Sequence, residues 1–215
     1  MSRELKAGRR ATKSGKTDSV VVFLHGNGAD GADLLSLADP LGPNMPNTAF
    51  LAPDAPEPCT ASPMGRQWFP IPWIDGSSEQ AAEEGMLAAA QDLNAWLDGV
   101  LVSEGITADR LVLLGFSQGT MMSLQVAPRR AEPVACVVGF SGRLLGPDRL
   151  AQETVSRMPV LLLHGDADDV VPYADMQAAA DTLAAADFDT YTHTMERTGH
   201  GIAPDGLQQA FAFMS

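Results

Sequence analysis

A chain of 215 residues, 45% hydrophobic and 19% charged, has the balance of a folded soluble protein of one α/β domain and excludes a disordered or fibrous chain. Its formal charge of −13 repels phosphate backbones and anionic headgroups, which argues against a nucleic-acid partner and a stable membrane anchor. Two cysteines, Cys59 and Cys136, supply neither a disulfide framework nor a CxxC metal site, and no signal-peptide core or run of about 18 apolar residues is present, so a cytoplasmic monomer or homodimer is expected.

In chain order, Arg3 to Ala11 is expected as an antiparallel edge strand or a loosely held terminus, with the basic run Lys6 to Lys16 solvated. Short apolar runs follow at Val20 to Leu24, Thr48 to Ala52, Leu111 to Leu114, Val134 to Val138 and Val160 to Leu163, and a more polar one at Thr190 to Met195 suits an edge. Apolarity at nearly every position, instead of alternation, implies a parallel sheet covered on both faces. Helical patterns fill the gaps at Ala32 to Asp39, Glu79 to Ser103, Gln118 to Ala127, Tyr173 to Ala186 and Pro204 to Phe213. The βαβα alternation predicts a doubly wound, mostly parallel α/β fold whose ligands bind at the carboxyl ends of the strands.

Pro53 to Ser78 breaks the alternation, and its prolines exclude regular helix and central strand. Its apolar residues make it a candidate pocket wall, or a loop folded over the core. Met64, Trp68, Phe69 and Trp73 of this loop, with Leu144, are the candidate substrate-binding side chains.

The sharpest motif is Gly115-Phe116-Ser117-Gln118-Gly119, a GxSxG between a strand and a helix. Such a turn lifts a serine hydroxyl above the sheet, with helix N-terminal amides beside it for developing negative charge. A serine hydroxyl needs a base, and in this arrangement an acid and then a histidine follow the nucleophile. Of His164, His193 and His200, the last lies in the loop Thr198-Gly199-His200-Gly201 beyond the final strand and is the expected base; His25, ahead of the nucleophile, reads as a structural hydrogen-bonding group. Asp166, Asp168 and Asp169 compete for the acid, with Asp168 first and Asp169 second, because an aspartate further into the loop can turn back toward the imidazole. The oxyanion donors expected are the backbone N–H groups of Gln118 and Asn27. No metal or cofactor is expected.

Together these segments resemble the phospholipase/carboxylesterase group of α/β-hydrolases that includes the acyl-protein thioesterases. FLHGNGADG (Phe23 to Gly31), APDAP (Ala52 to Pro56), GRQWF (Gly65 to Phe69), GFSQG (Gly115 to Gly119), HGDADDVVP (His164 to Pro172) and GHG (Gly199 to Gly201) recur in order. The resemblance implies an α/β-hydrolase fold without a large cap domain, a Ser117-His200-Asp168 triad, oxyanion donors at Asn27 and Gln118, no cofactor, and hydrolysis of short- to medium-chain esters or thioesters. It selects Asp168 over its neighbours. The Trp68 to Ile74 loop departs from the thioesterase members, which favours small esters over acylated proteins.

Two other glycine patterns point elsewhere. Gly26 to Gly31 fits GxGxxG after a strand, with Asp54 past the next one, and reads alternatively as a dinucleotide site. Lys13 to Thr17 ends like a P-loop but precedes a strand and has Arg10 in place of the first glycine, so that reading fails. A non-catalytic binding module on the same fold is the remaining alternative.

Overall fold

The computed structural model describes residues 2–60 and 62–215. The first half runs β1 (Ala7–Arg10), β2 (Ser19–Leu24), α1 (Gly31–Leu35), α2 (Ala38–Leu41), β3 (Thr48–Pro53), β4 (Glu57–Pro58), β5 (Arg66–Gln67), α3 (Pro72–Asp75) and α4 (Glu79–Glu104). The second half runs β6 (Leu111–Phe116), α5 (Gln118–Val126), β7 (Cys136–Phe140), α6 (Pro147–Glu153), β8 (Val160–Gly165), α7 (Ala174–Ala185), β9 (Thr190–Met195) and α8 (Pro204–Met214).

Seven strands form one sheet in the order β1-β3-β2-β6-β7-β8-β9, parallel throughout except for β1, which runs antiparallel to β3. Side chains of a strand point alternately to the two faces, and here both sets are apolar. Val20, Val22 and Leu24 of β2 pack on one side with Leu93 and Leu97 of α4, Met121 and Leu124 of α5, and Met176 and Leu183 of α7. Val21 and Phe23 pack on the other with Leu34 and Leu35 of α1, Leu41 of α2 and Ala210 of α8. This is the mostly parallel, doubly covered sheet expected from the apolar runs, and it has the α/β-hydrolase architecture that the resemblance implies. Among the described residues no helix is long and apolar enough to cross a membrane.

Several details differ from the sequence expectation. The helix expected at Ala32 to Asp39 is split into α1 and α2, because Pro40 has no N–H to donate to the Ser36 carbonyl and the chain makes a tighter turn there. β7 starts at Cys136 instead of Val134, and α6 is absent from the sequence expectation. The proline-rich loop contains the two-residue pair β4 and β5 and one helical turn, α3, with Pro72 at its start, where a missing N–H costs nothing. The N-terminal segment is tied down: Leu5 is buried, Arg3 binds both oxygens of Asp92 on α4, and Arg9 forks onto Glu104.

Candidate active site

β6 delivers the chain to Ser117, whose backbone sits at φ 54°, ψ −116°, a conformation a non-glycine residue adopts only at a cost of about 1–3 kcal/mol. The surroundings enforce it. Ser117 N–H donates to the Phe140 carbonyl at the end of β7 (2.8 Å), and the buried Thr120 hydroxyl lies 2.8 Å from that carbonyl and 2.9 Å from that of Gly115. Gly119 lets α5 press onto the end of β2, since a Cβ there would fall inside the Leu24 carbonyl. The turn therefore has no room for a side chain at Gly115 or Gly119, two residues to either side of the serine.

The loop after β2 lies against this turn: a Cβ on Gly26 would sit 3.3 Å from Ser117 Cβ. Among the described residues, the N–H groups of Asn27 and Gln118 donate to no protein acceptor, so both amides expected as oxyanion donors are free. His25 holds the loop from behind. Its Nε2 accepts from Ala55 N–H (2.9 Å), which leaves the proton on Nδ1, 2.8 Å from the Gly26 carbonyl. Burial pushes the His25 pKa below its ordinary value and favours this neutral form, as its structural reading requires.

Gln118 does more than the sequence indicated. Its fully buried side chain accepts from Trp68 N–H and donates to the Phe69 carbonyl, both at 2.8 Å, and Trp68 Nε1 donates to the His25 carbonyl (3.0 Å). The proline-rich loop is thus stapled to the residue after Ser117. A polar side chain in a helix with every residue buried is the signal that could have revealed it.

Asp168 and His200 come from the loops after β8 and β9. These loops pack backbone to backbone, with Ala167 N–H donating to the Thr198 carbonyl (3.0 Å) and Gly165 leaving room for that carbonyl. The Asp168 carboxylate is completely buried; Oδ1 accepts from Val170 and Val171 N–H (2.9 Å each), and Oδ2 is 2.8 Å from His200 Nδ1. Burial alone would raise its pKa, but the bonds from His200, Val171 and Val170 outweigh it and hold the carboxyl below its usual value. Asp166 and Asp169 are exposed. The His200 ring lies 4.9 Å, centroid to centroid, from Phe116, the residue before the serine. No hydrogen bond joins Ser117 and His200; bonds of this kind often tighten only when substrate is bound. His193 is engaged elsewhere, 2.8 Å from Asp205 on α8.

The five candidate substrate-binding side chains separate. Phe69 and Trp73 line a cavity of about 410 Å³ together with Ile71, Met86, Leu145 and Arg149. Trp68 is fully buried as a brace, and Met64 is 89% exposed and outside the cavity. Leu144 faces a different hollow, beside Pro147 and Ala178. In the glycine pattern at Gly26 to Gly31, Asp30 caps α1 and Asp54 accepts the Gly31 N–H (2.9 Å), so carboxylates occupy the place a pyrophosphate would need. Among the described residues no group of three or more His, Cys, Asp or Glu side chains could hold a metal ion.

The chain resembles known proteins in sequence and in fold. The family Phospholipase/Carboxylesterase matches residues 10–215. The chain belongs to the phospholipase/carboxylesterase family. Its relatives include acyl-protein thioesterase 1 of Mycosarcoma maydis, 32% identical over 93% of this chain and 91% of that one, and the esterase YpfH of Escherichia coli K12, 27% identical over 89% and 79%. The crystal structure of esterase PE8 superposes with a TM-score of 0.94 at 38% identity, covering 99% of this chain and 98% of that one. This phospholipase/carboxylesterase family member is a carboxylic ester hydrolase of the α/β-hydrolase fold.

Proposed function

We propose that the protein hydrolyses short- to medium-chain carboxylic esters, and thioesters as the second class, through an acyl-enzyme on Ser117. The observation that carries this reading is the 2.8 Å bond between Asp168 Oδ2 and His200 Nδ1, made by a loop that reaches over the Ser117 turn. With Nδ1–H committed to Asp168, Nε2 is the free base that takes the Ser117 proton as the hydroxyl attacks the acyl carbonyl. Asp168 fixes that tautomer and stabilises the imidazolium, which its anionic ground state suits.

The oxyanion then forms beside the free N–H groups of Asn27 and Gln118. Collapse expels the alcohol, protonated by His200, and water activated by the same Nε2 releases the acid. The cavity walled by Phe69, Ile71, Trp73 and Met86 is not itself lined by Ser117 or His200; what supports it as the acyl site is its apolar wall and the Gln118 bond that ties this wall to the residue after the serine.

Hydrolysis of p-nitrophenyl acetate and butyrate, compared with Ser117→Ala, tests the reading. Turnover of the variant should fall by a factor on the order of 10³–10⁶ while its circular dichroism is unchanged. A folded variant with undiminished turnover sinks the proposal.

A further inference from the structure

One histidine of the site has no part in this scheme. His164 ends β8, is 1% exposed, and places Nε2 3.0 Å from the Val171 carbonyl and 3.2 Å from Asp168 Oδ2. The Val171 carbonyl can only accept, so the proton sits on His164 Nε2 and is donated to it, with Asp168 Oδ2 close beside the same nitrogen. The buried Asp168 carboxylate thereby lies between two imidazoles, with the amides of Val170 and Val171 on its other oxygen.

We propose that His164 is a positioning residue for ester hydrolysis: held through Nε2–H to the Val171 carbonyl and 3.2 Å from Asp168 Oδ2, it fixes the Asp168 carboxylate against the β8 end and limits how strongly that charge acts on His200. The inference rests on the proposed roles of Ser117, Asp168 and His200. The groups around it are accounted for. Asp166 and Asp169, on the same loop, are exposed; Tyr173 meets the His164 ring edge-on at 6.0 Å, with its hydroxyl 2.6 Å from Thr194 Oγ1 on β9.

A glutamine amide nitrogen can occupy the place of Nε2, whereas an asparagine amide reaches only the place of Nδ1, so the two substitutions separate hydrogen bonding from polarity. His164→Asn should lose about tenfold in kcat, the scale of losses when a partner that orients a reacting group is removed, with KM within about twofold. The acid limb of its kcat/KM profile should move upward, because the carboxylate charge, no longer faced by the Nε2–H dipole, acts more fully on His200. His164→Gln should restore both kcat and limb. A role confined to packing would lower the melting temperature and leave the limb in place.

Folded His164→Asn with unchanged kcat and limb overturns the proposal, as does equal impairment of both variants with the limb unmoved. Nitrogen-15 spectra of histidine in the wild-type protein read the same point without a variant: His164 should be the Nε2–H tautomer with a slowly exchanging proton, and the Nδ1–H tautomer overturns it. Undiminished turnover in Ser117→Ala overturns this inference and the proposed function together; lost turnover there beside an unaffected His164→Asn overturns this inference alone.

Discussion

At the scale of the residue, the site is a set of exclusions as much as of contacts. Ser117 holds its strained backbone because Gly115 and Gly119 admit no side chain against each other or against the Leu24 carbonyl. Gly119→Ala forces that carbonyl and α5 apart, so it should destabilise the fold by about 3 kcal/mol or more, or prevent folding, which urea unfolding measures. A loss under about 1 kcal/mol would show that the end of β2 can yield. The sulfur chemistry is similarly closed off at Cys136, where burial pushes the thiol up to about 12 and leaves almost no thiolate to react at neutral pH.

At the scale of the element, the working parts are loops held by their neighbours. The Gln118 side chain satisfies the buried Trp68 N–H and Phe69 carbonyl, and Gln118→Ala leaves both without a partner. The expected cost is on the order of 3 kcal/mol, with faster hydrogen exchange at the Trp68 amide and reduced turnover although the Gln118 backbone N–H is kept. Unchanged exchange there would mean that β4, β5 and the Trp68 ring hold the loop unaided.

How much of this was legible in the sequence follows from which signals are local. The strands announced themselves as apolar runs, because a sheet covered on both faces needs apolar residues at successive positions. GxSxG between a strand and a helix, and the loop positions of Asp168 and His200, were equally readable. By contrast, α6 has Leu150 as its single buried residue, too thin a stripe to show a helical period. Trp68 and Phe69 are adjacent aromatics, one sealed as a brace and one lining the cavity, and Leu144 and Leu145 likewise face different hollows. Which neighbour faces the cavity depends on the path of a loop over the sheet, and composition carries no record of that path.

At the scale of the whole molecule, two buried groups contribute to the response to acid. The folded-state pKa of His25 lies below its ordinary value of 6.5, so its contribution to stability is complete above about pH 6.5 and is lost as the pH falls below it, when unfolded chains bind the proton that the neutral, bonded ring refuses. Asp168 is likewise held below its ordinary 3.8, so its contribution is complete above about pH 3.8 and is lost on further acidification. Thermal melts should therefore be flat between about pH 7 and 8, decline below about 6.5 and fall further below about 4. A melting temperature constant from pH 7 to 5 would show that His25 takes up its proton inside the fold at no net cost, although Nε2 must then give up the Ala55 bond.

The sheet order also dictates when competence arises during refolding. Ser117, Asp168 and His200 follow β6, β8 and β9, and the last two loops meet only because β9 zips alongside β8 from Thr190 opposite Val160 to Met195 opposite Gly165. Parallel strands separated by a helical crossover pair late, since the long connection must close before any of its contacts are rewarded. An early condensate built on β2, β3 and β6 would already carry the serine turn yet remain inert. Regain of turnover after dilution from denaturant thus clocks the docking of the outermost strand, not the collapse that precedes it.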